Sequence, residues 1–399
     1  MAPTTAVRPS PGRGRGLFAT SAVAAGGALI QHESPLAAIQ EVGNRGEALA
    51  CGHCLRFLGS IAEQLRVLTQ EEPGAQVAPA VLPGLADGAG RLSEVVMCER
   101  SGEVFCSAAC RDAAWLGYNR ALTAAGLEPF EAFKEHAYAT NCSFLLAARC
   151  LARAVDDGEC ARQLAALEAR PWESVAVLPA NDEVDEAEFR AQFVELLAES
   201  YDLLRGTLSP CVPIEAYSRL MGAIELNSVG VEVDSPVAAY VESSAEAALL
   251  PMVEAISAVR LADEQQHGCN EGEDEDELEE AEVAEVAEAE VAGAESGEAE
   301  QTSALAGAIH SGGGLDYLFP RAEGRGLFAS IAACNHACTP NAQVVFLDGS
   351  CAATLQALLD IGEGDELEIS YTDAELEPAD RELALGDYGF ACACDVCHP

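Results

Sequence analysis

The chain has 399 residues, enough for two or three domains, and its 49% apolar content supplies ample core. It sets 66 acids against 22 bases, a formal net charge of −44, which argues against autonomous nucleic-acid binding because phosphates need a basic surface. No apolar run approaches the ~18 residues of a membrane span, so the balance favours a basic partner, a solvated acidic segment, or both.

Residues 1–32 contain no acid and several Arg, Ser, Thr and Ala, as organelle transit peptides do. Yet GRGRGLFATSAVAAGGALI also reads as a glycine turn followed by strand material, so a transit peptide would have to end before Gly12. An apolar signal-peptide core is missing near the start, so a cytoplasmic or nuclear setting is expected. Thiols are reduced there, and the 16 cysteines then favour zinc over disulfides.

Short apolar runs, Ala28–Ile30 and Leu36–Ile39, follow between Gly-rich turns. Cysteines cluster from Cys51 to Cys110, interrupted by a Pro/Gly/Ala-rich loop insertion at about Thr69–Gly90. From about Pro129 to Arg205 the pattern is helical: Phe144, Leu145, Ala148, Leu151, Ala152 and Val155 share one spacing, and Phe189, Phe193, Leu196, Leu197 and Leu204 another. Between Asp263 and Glu300 lie 17 acids, and no Lys or Arg occurs between Arg260 and Arg321. That stretch reads as a solvated, disordered insertion. The last 85 residues are β-rich. Val344–Leu347 and Thr354–Ile361 flank Asp348-Gly349, a hairpin signal, and Glu366–Tyr371 alternates as a half-buried strand. Gly-Arg-Gly-Leu-Phe-Ala occurs twice, at 14–19 and 324–329.

Cysteine spacing carries the first chemistry. Cys51-x2-Cys54 and Cys106-x3-Cys110 make a complete four-thiolate zinc set. Cys98 stands alone, with Ser101 where a partner would sit. Near the C-terminus, Cys392, Cys394 and Cys397 need a fourth ligand. Spacing leaves Cys338 open between that role and a buried small hydrophobe. The other seven, at 142, 150, 160, 211, 269, 334 and 351, show no ligand spacing.

Six pieces in order resemble the SET-and-MYND (SMYD) protein lysine methyltransferases. They are GRGRGLFAT, the CGHC cluster, Glu225-Leu-Asn227-Ser228, CNHACTPNA (334–342), GEGDELEISYTD (362–373) and YGFACACDVC (388–397). The chain is most similar to the fifth-member subtype, which lacks the helical C-terminal domain. The resemblance implies an α+β fold: a split SET-domain β-fold with a pseudoknot, an inserted MYND-like zinc finger, a helical insert and a cysteine-rich post-SET tail. It divides the chain into an N-terminal SET part (1–48), the finger with its loop insertion (49–125) and the helical SET insert (126–215). SET core (216–261), acidic disordered insertion (262–312), C-terminal SET core (313–379) and post-SET zinc motif (380–399) follow.

The implied methyl donor is S-adenosylmethionine, contacted by Arg13, Arg15, Gly16, Asn227, Asn335, His336 and Phe390. Arg15 departs from the Asn often found at its position. Tyr371 matches the catalytic tyrosine and Tyr388 a wall of the lysine channel. The post-SET zinc falls to Cys338, Cys392, Cys394 and Cys397. The first finger zinc survives as Cys51, Cys54, Cys106 and Cys110. The second does not, because Ser101, Asn119 and Thr123 stand where Cys98 needs partners, and one thiol cannot hold structural zinc. Two zinc ions are therefore expected.

Methyl transfer to lysine needs a neutral amine, whose free pKa is ~10.4, and a dry aromatic channel favours that form by desolvation. Most of the gain then comes from alignment. Taken singly, Tyr371 and Phe390 read equally as packed aromatics, His336 as a core histidine, and Asn335 and Asn341 as turn residues. The expected partner is a basic protein, histone or ribosomal, with an exposed lysine, and the expected enzyme is a monomer that binds neither nucleic acid nor membrane. A catalytically weak SET/MYND interaction module is the alternative function.

Overall fold

The computed structural model describes residues 4–69, 90–175, 185–208, 212–244, 249–267, 305–311, 313–373, 376–386, 388–392, 394, 396 and 397. Most of the expected loop insertion at Thr69–Gly90 lies outside the described residues. So do most of the acidic stretch, Cys211 and Cys269. Among the described residues, no helix is long and apolar enough to cross a membrane.

Among the described residues, twelve strands form four small sheets. They are β1 (Thr5–Ser10), β2 (Gly14–Ala19), β3 (Ala28–Glu33), β4 (Ala37–Gln40), β5 (Val96–Cys98), β6 (Glu103–Phe105), β7 (Ser228–Val233), β8 (Ala322–Leu327), β9 (Asn335–His336), β10 (Ala342–Val345), β11 (Ala353–Ala357) and β12 (Glu366–Ile369). The sheet orders are β1-β2-β12-β9, β10-β11-β3, β4-β8-β7 and β5-β6. The repeated hexapeptide forms a central strand twice, in β2 and in β8. Its glycines permit close approach: a Cβ at Gly16 would overlap the Glu366 carboxylate, and one at Gly324 the Ile39 carbonyl. The Asp348-Gly349 turn joins β10 to β11 in an antiparallel hairpin, as its sequence predicts.

One pairing decides where the site forms. The two residues of β9 lie parallel to β12, with Asn335 opposite Glu368 and His336 opposite Ile369. Asn341 fastens this segment: its amide donates to the Glu366 carbonyl at 2.8 Å and accepts from the Glu368 N–H at 2.9 Å. Segments some thirty residues apart are thereby held side by side, and Tyr371, just past β12, comes against His336.

The helices are α1 (Ile61–Leu68), α2 (Ala108–Ala114), α3 (Arg120–Leu122), α4 (Leu127–Ala139), α5 (Ser143–Asp156), α6 (Gly158–Ala165), α7 (Trp172–Val175), α8 (Glu186–Thr207), α9 (Ile214–Asn227), α10 (Pro236–Ser244), α11 (Leu250–His267), α12 (Leu315–Leu318) and α13 (Pro378–Gly386). Ser60 caps the start of α1, its hydroxyl accepting from the Glu63 N–H at 3.3 Å and donating to the Glu63 carboxylate at 2.8 Å. Asp157 and Asp185 cap α6 and α8 in the same way. The apolar stripe expected on α5 is buried at Phe144, Leu145, Ala148 and Ala152. Phe144 meets Trp172 edge-on at 5.3 Å and stacks near Tyr217 at 6.3 Å, so α5, α7 and α9 share one aromatic core.

At the edges of the stretch assigned to the acidic insertion, 262–312, the described residues are helical. α11 continues to His267, and residues 305–311 are again helical. A charge count registers the solvated positions, whereas Met252, Val253, Ile256 and Leu305 are buried in a core with Ile61, Leu65 and Phe319. Apolar burial, not net charge, sets where a helix stops.

A buried ion pair ties β6 and α5 to the sheet that holds β4. On α5, Arg149 donates to the Glu103 carboxylate of β6 at 2.5 Å and to the Ala38 carbonyl of β4 at 2.6 Å. Its guanidinium also lies 4.8 Å from the Tyr118 ring. The two side chains are only 4% and 10% exposed, so removing one partner strands a charge. Arg149→Met is expected to cost about 3–5 kcal/mol, read as a fall in the urea midpoint. Arg149→Met combined with Glu103→Leu should recover most of that loss.

Candidate active site

The CGHC turn places Cys51 and Cys54 by local geometry. Leu55 adopts a left-handed backbone, φ 58°, and its N–H returns to the Cys51 carbonyl at 3.0 Å. The second pair comes from the start of α2, where the Ser107 hydroxyl caps the Cys110 N–H at 3.1 Å. The Sγ atoms of Cys54, Cys106 and Cys110 stand 3.5–3.7 Å apart. A zinc tetrahedron with ~2.3 Å bonds has edges of about 3.8 Å. The hydrogen bond from Cys54 pulls the Cys51 thiol down, to about 5, so one donor is already a thiolate near neutrality.

A second set gathers Cys338, just beyond β9, with Cys392, Cys394 and Cys397. Cys338 Sγ lies 3.7 Å from Cys392 Sγ and 3.3 Å from Cys397 Sγ. Proximity groups Cys338 with the three tail thiols, as one of the two readings that spacing left open requires. Among the described residues these are the two groups arranged to hold a metal ion, and both donor sets fit a thiophilic tetrahedral one.

The residues beside Cys98 serve other ends. Ser101 and Asn119 are fully buried. Asn119 donates its amide to Glu103, and Thr123 turns back to the Asn119 carbonyl at 2.7 Å. The only lysine of the chain, Lys134, fills the neighbourhood. Its buried ammonium contacts the Ser101 carbonyl at 3.3 Å and Glu131 at 2.8 Å, 4.9 Å from the Phe130 ring centre.

Four rings converge beyond the tail cluster. Tyr371 lies 4.8 Å from Tyr388, 5.5 Å from His336 and 6.4 Å from Phe390, between ring centres. The Tyr371 hydroxyl donates to the Cys334 carbonyl at 2.6 Å. Burial pushes its phenol above the ordinary range, so it stays protonated and remains a donor. His336 joins metal set to ring set: Nδ1 accepts the Tyr371 backbone N–H at 3.1 Å, which leaves the proton on Nε2, 3.2 Å from Cys338 Sγ. Burial, then Arg381, lower its pKa, so the ring is neutral and acts as a strut.

A cavity of about 200 Å³ opens against these rings, walled by Asn227, Ser228, Cys334, Ile369, Tyr371 and Tyr388. Its size and aromatic wall suit a lysine side chain. Asn227 is set there by the last turn of α9, its amide bound to the Ala223 and Glu168 carbonyls at 2.7 and 2.8 Å.

The remaining cofactor candidates form a second group. Arg13 pairs with Glu366 and Glu368 at 2.7 and 2.5 Å. Asn335 donates to the Arg15 carbonyl at 2.9 Å and to Glu366 at 2.6 Å. Arg15 reaches the Ala166 carbonyl with one nitrogen, while its buried Nη2 has no partner. That orphaned cationic donor fits a ligand carrying a carboxylate. Thus Arg13, Gly16 and Asn335 meet around Glu366, while the Arg15 guanidinium turns to the Ala166 carbonyl, within electrostatic reach of Glu168 and Tyr371. His336 and Phe390 sit with the tyrosines, and Asn227 lies on the wall of the Tyr371 cavity.

Two contributors escape a reading of side-chain motifs. Glu366 gathers Ser10, Arg13 and Asn335, and its only signal is its place in the β12 alternation. Arg170 donates to the Tyr388 carbonyl at 3.0 Å from the α6–α7 connection, with no signal at all.

A family model described as SET domain matches residues 14–372. The chain is 24% identical to histone-lysine N-methyltransferase ATXR2 of Arabidopsis thaliana, over 96% of this chain and 88% of that protein. It is 26% identical to protein-lysine N-trimethyltransferase SMYD5 of Homo sapiens, over 97% of this chain and 84% of that one. A stretch of 75 residues is 40% identical to histone-lysine N-methyltransferase SMYD3 of Homo sapiens, covering 18% of this chain and 17% of its relative.

Proposed function

Because the chain belongs to the SET-domain family and is an S-adenosylmethionine-dependent protein-lysine methyltransferase, we propose that Tyr371 is its catalytic residue and a basic protein segment its substrate. The observation that carries this reading is the protonated Tyr371 hydroxyl, held against the Cys334 carbonyl at the wall of a lysine-sized cavity.

S-adenosylmethionine, when bound, supplies a methyl group activated on a sulfonium. Arg13, Arg15, Gly16, Asn227, Asn335, His336 and Phe390 are the proposed holders, with Arg15 Nη2 offered to its carboxylate. The cavity desolvates the incoming ammonium and lowers its pKa, so its proton leaves to water first. The neutral nitrogen is then ready to accept the methyl group that S-adenosylmethionine would supply, the carbon–sulfur bond being the one that would break. Tyr371 and the Cys334 carbonyl fix the direction of the lone pair, and alignment carries most of the rate. Tyr388 closes the opposite wall.

We assign zinc to both thiol sets. The tail ion fixes Cys392, two residues from Phe390 and four from Tyr388. Cysteine spacing that favours zinc over disulfides supports a reducing compartment, cytoplasmic or nuclear. The net charge of −44 supports a basic substrate such as a histone or ribosomal protein.

The test is transfer of label from radiolabelled S-adenosylmethionine to histone, ribosomal and acidic control proteins. Label is expected on lysine of the basic proteins. Label that persists after the acceptor lysines are changed to arginine overturns the assignment.

A further inference from the structure

Beside the Tyr371 cavity lies a second, of about 370 Å³. The two share walls at Leu226, Ser228, Gly230 and Tyr388, so a peptide whose lysine enters the first presents a neighbouring side chain to the second. The charged groups on its wall are Glu41, Glu225 and Arg325. Arg325 Nε stands 3.3 Å from Glu41, and Nη1 stands 3.7 Å from Glu225. Its Nη1 also donates to the Ser143 hydroxyl at 3.3 Å. One guanidinium is thus divided between two carboxylates, and the pairing with Glu225 is long. All three side chains are about one-third exposed, open enough to accept a further partner. Burial raises the Glu225 pKa, against the pull of Arg325 and a hydrogen bond from Trp172, with Glu41 adding a little to the rise.

We propose that this cavity is a specificity subsite for a cationic side chain, arginine above all, within two residues of the target lysine. The inference rests on the catalytic reading given above. An arginine entering here meets Glu225 with a planar fork suited to bidentate pairing. Its aliphatic stem packs on Val175 and Leu226, which line the same cavity. An acidic neighbour would be a third carboxylate on a wall whose single guanidinium, Arg325, already serves two, so discrimination has an attractive and a repulsive part.

The experiment is a positional scan on one lysine peptide, with Ala, Arg or Glu placed in turn at the two positions on each side. Arg at one of these positions is expected to raise kcat/KM about tenfold over Ala, chiefly through KM. Glu there is expected to lower it. In Glu225→Gln combined with Glu41→Gln the Arg:Ala ratio should fall to about one. A second measurement needs no variant: the wild-type Arg:Ala ratio should shrink between about 0.05 and 0.5 M salt. Equal transfer to Ala, Arg and Glu peptides overturns the subsite alone, as does a ratio indifferent to salt. No transfer to any lysine peptide overturns the catalytic reading and the subsite with it.

Discussion

Tyr371→Phe should lower kcat by about 10²–10³-fold while S-adenosylmethionine binding changes little. The substitution removes one oxygen and leaves the ring, so contacts with Tyr388, His336 and Phe390 persist. What disappears is the 2.6 Å bond to the Cys334 carbonyl and the polar atom facing the reacting centre. Loss of one preorganised polar group of this kind costs about 10²–10³-fold, and misalignment of about 1 Å alone costs 10²-fold. Calorimetric titration with S-adenosylmethionine should give similar affinities for both proteins, while single-turnover transfer separates them. A Tyr371→Phe enzyme with unchanged transfer would show that the channel aligns its amine without this hydroxyl.

Cys392→Ser should remove one zinc and at least about 10²-fold of the activity together. Metal analysis of the wild type is expected to return two zinc ions per chain, one for each thiol set. The variant should return one, since three thiolates on a short tail do not hold structural zinc tightly. Activity follows because Cys392 lies two residues from Phe390, and because Cys338 contacts His336, which accepts the Tyr371 N–H. Loosening this ion loosens the ring wall from two directions. Cys98→Ser is the control: its neighbourhood is filled by Ser101, Asn119 and Lys134, so both metals and full transfer should remain. Three zinc ions in the wild type would contradict that account of Cys98.

Much of the site was legible because its chemistry sits in local motifs. The CGHC knuckle, the tail thiols and the Asp348-Gly349 hairpin each depend on residues close in sequence. The repeated hexapeptide marked two central strands for the same reason. What escaped depends on chain segments brought together by the fold. Arg149 reads as one more residue of the α5 pattern, yet it is buried between β4 and β6. Asn341 reads as a turn residue, yet its amide fastens β12. Acid content, likewise, says nothing of the helix that the described residues form up to His267 and again over 305–311.

Lys134 has a consequence for the life of the enzyme. An enzyme that methylates lysine carries a single one, and its ammonium is enclosed by Ser101, Glu131 and Phe130. The folded chain therefore presents no ε-amine to the channel of a neighbouring copy, and self-modification does not compete with substrate. The same holds for acylating reagents and for amine-directed conjugation. At this residue they meet an 8%-exposed ammonium already paired with Glu131, so acquisition of such a mark on Lys134 is expected to be slow while the chain is folded.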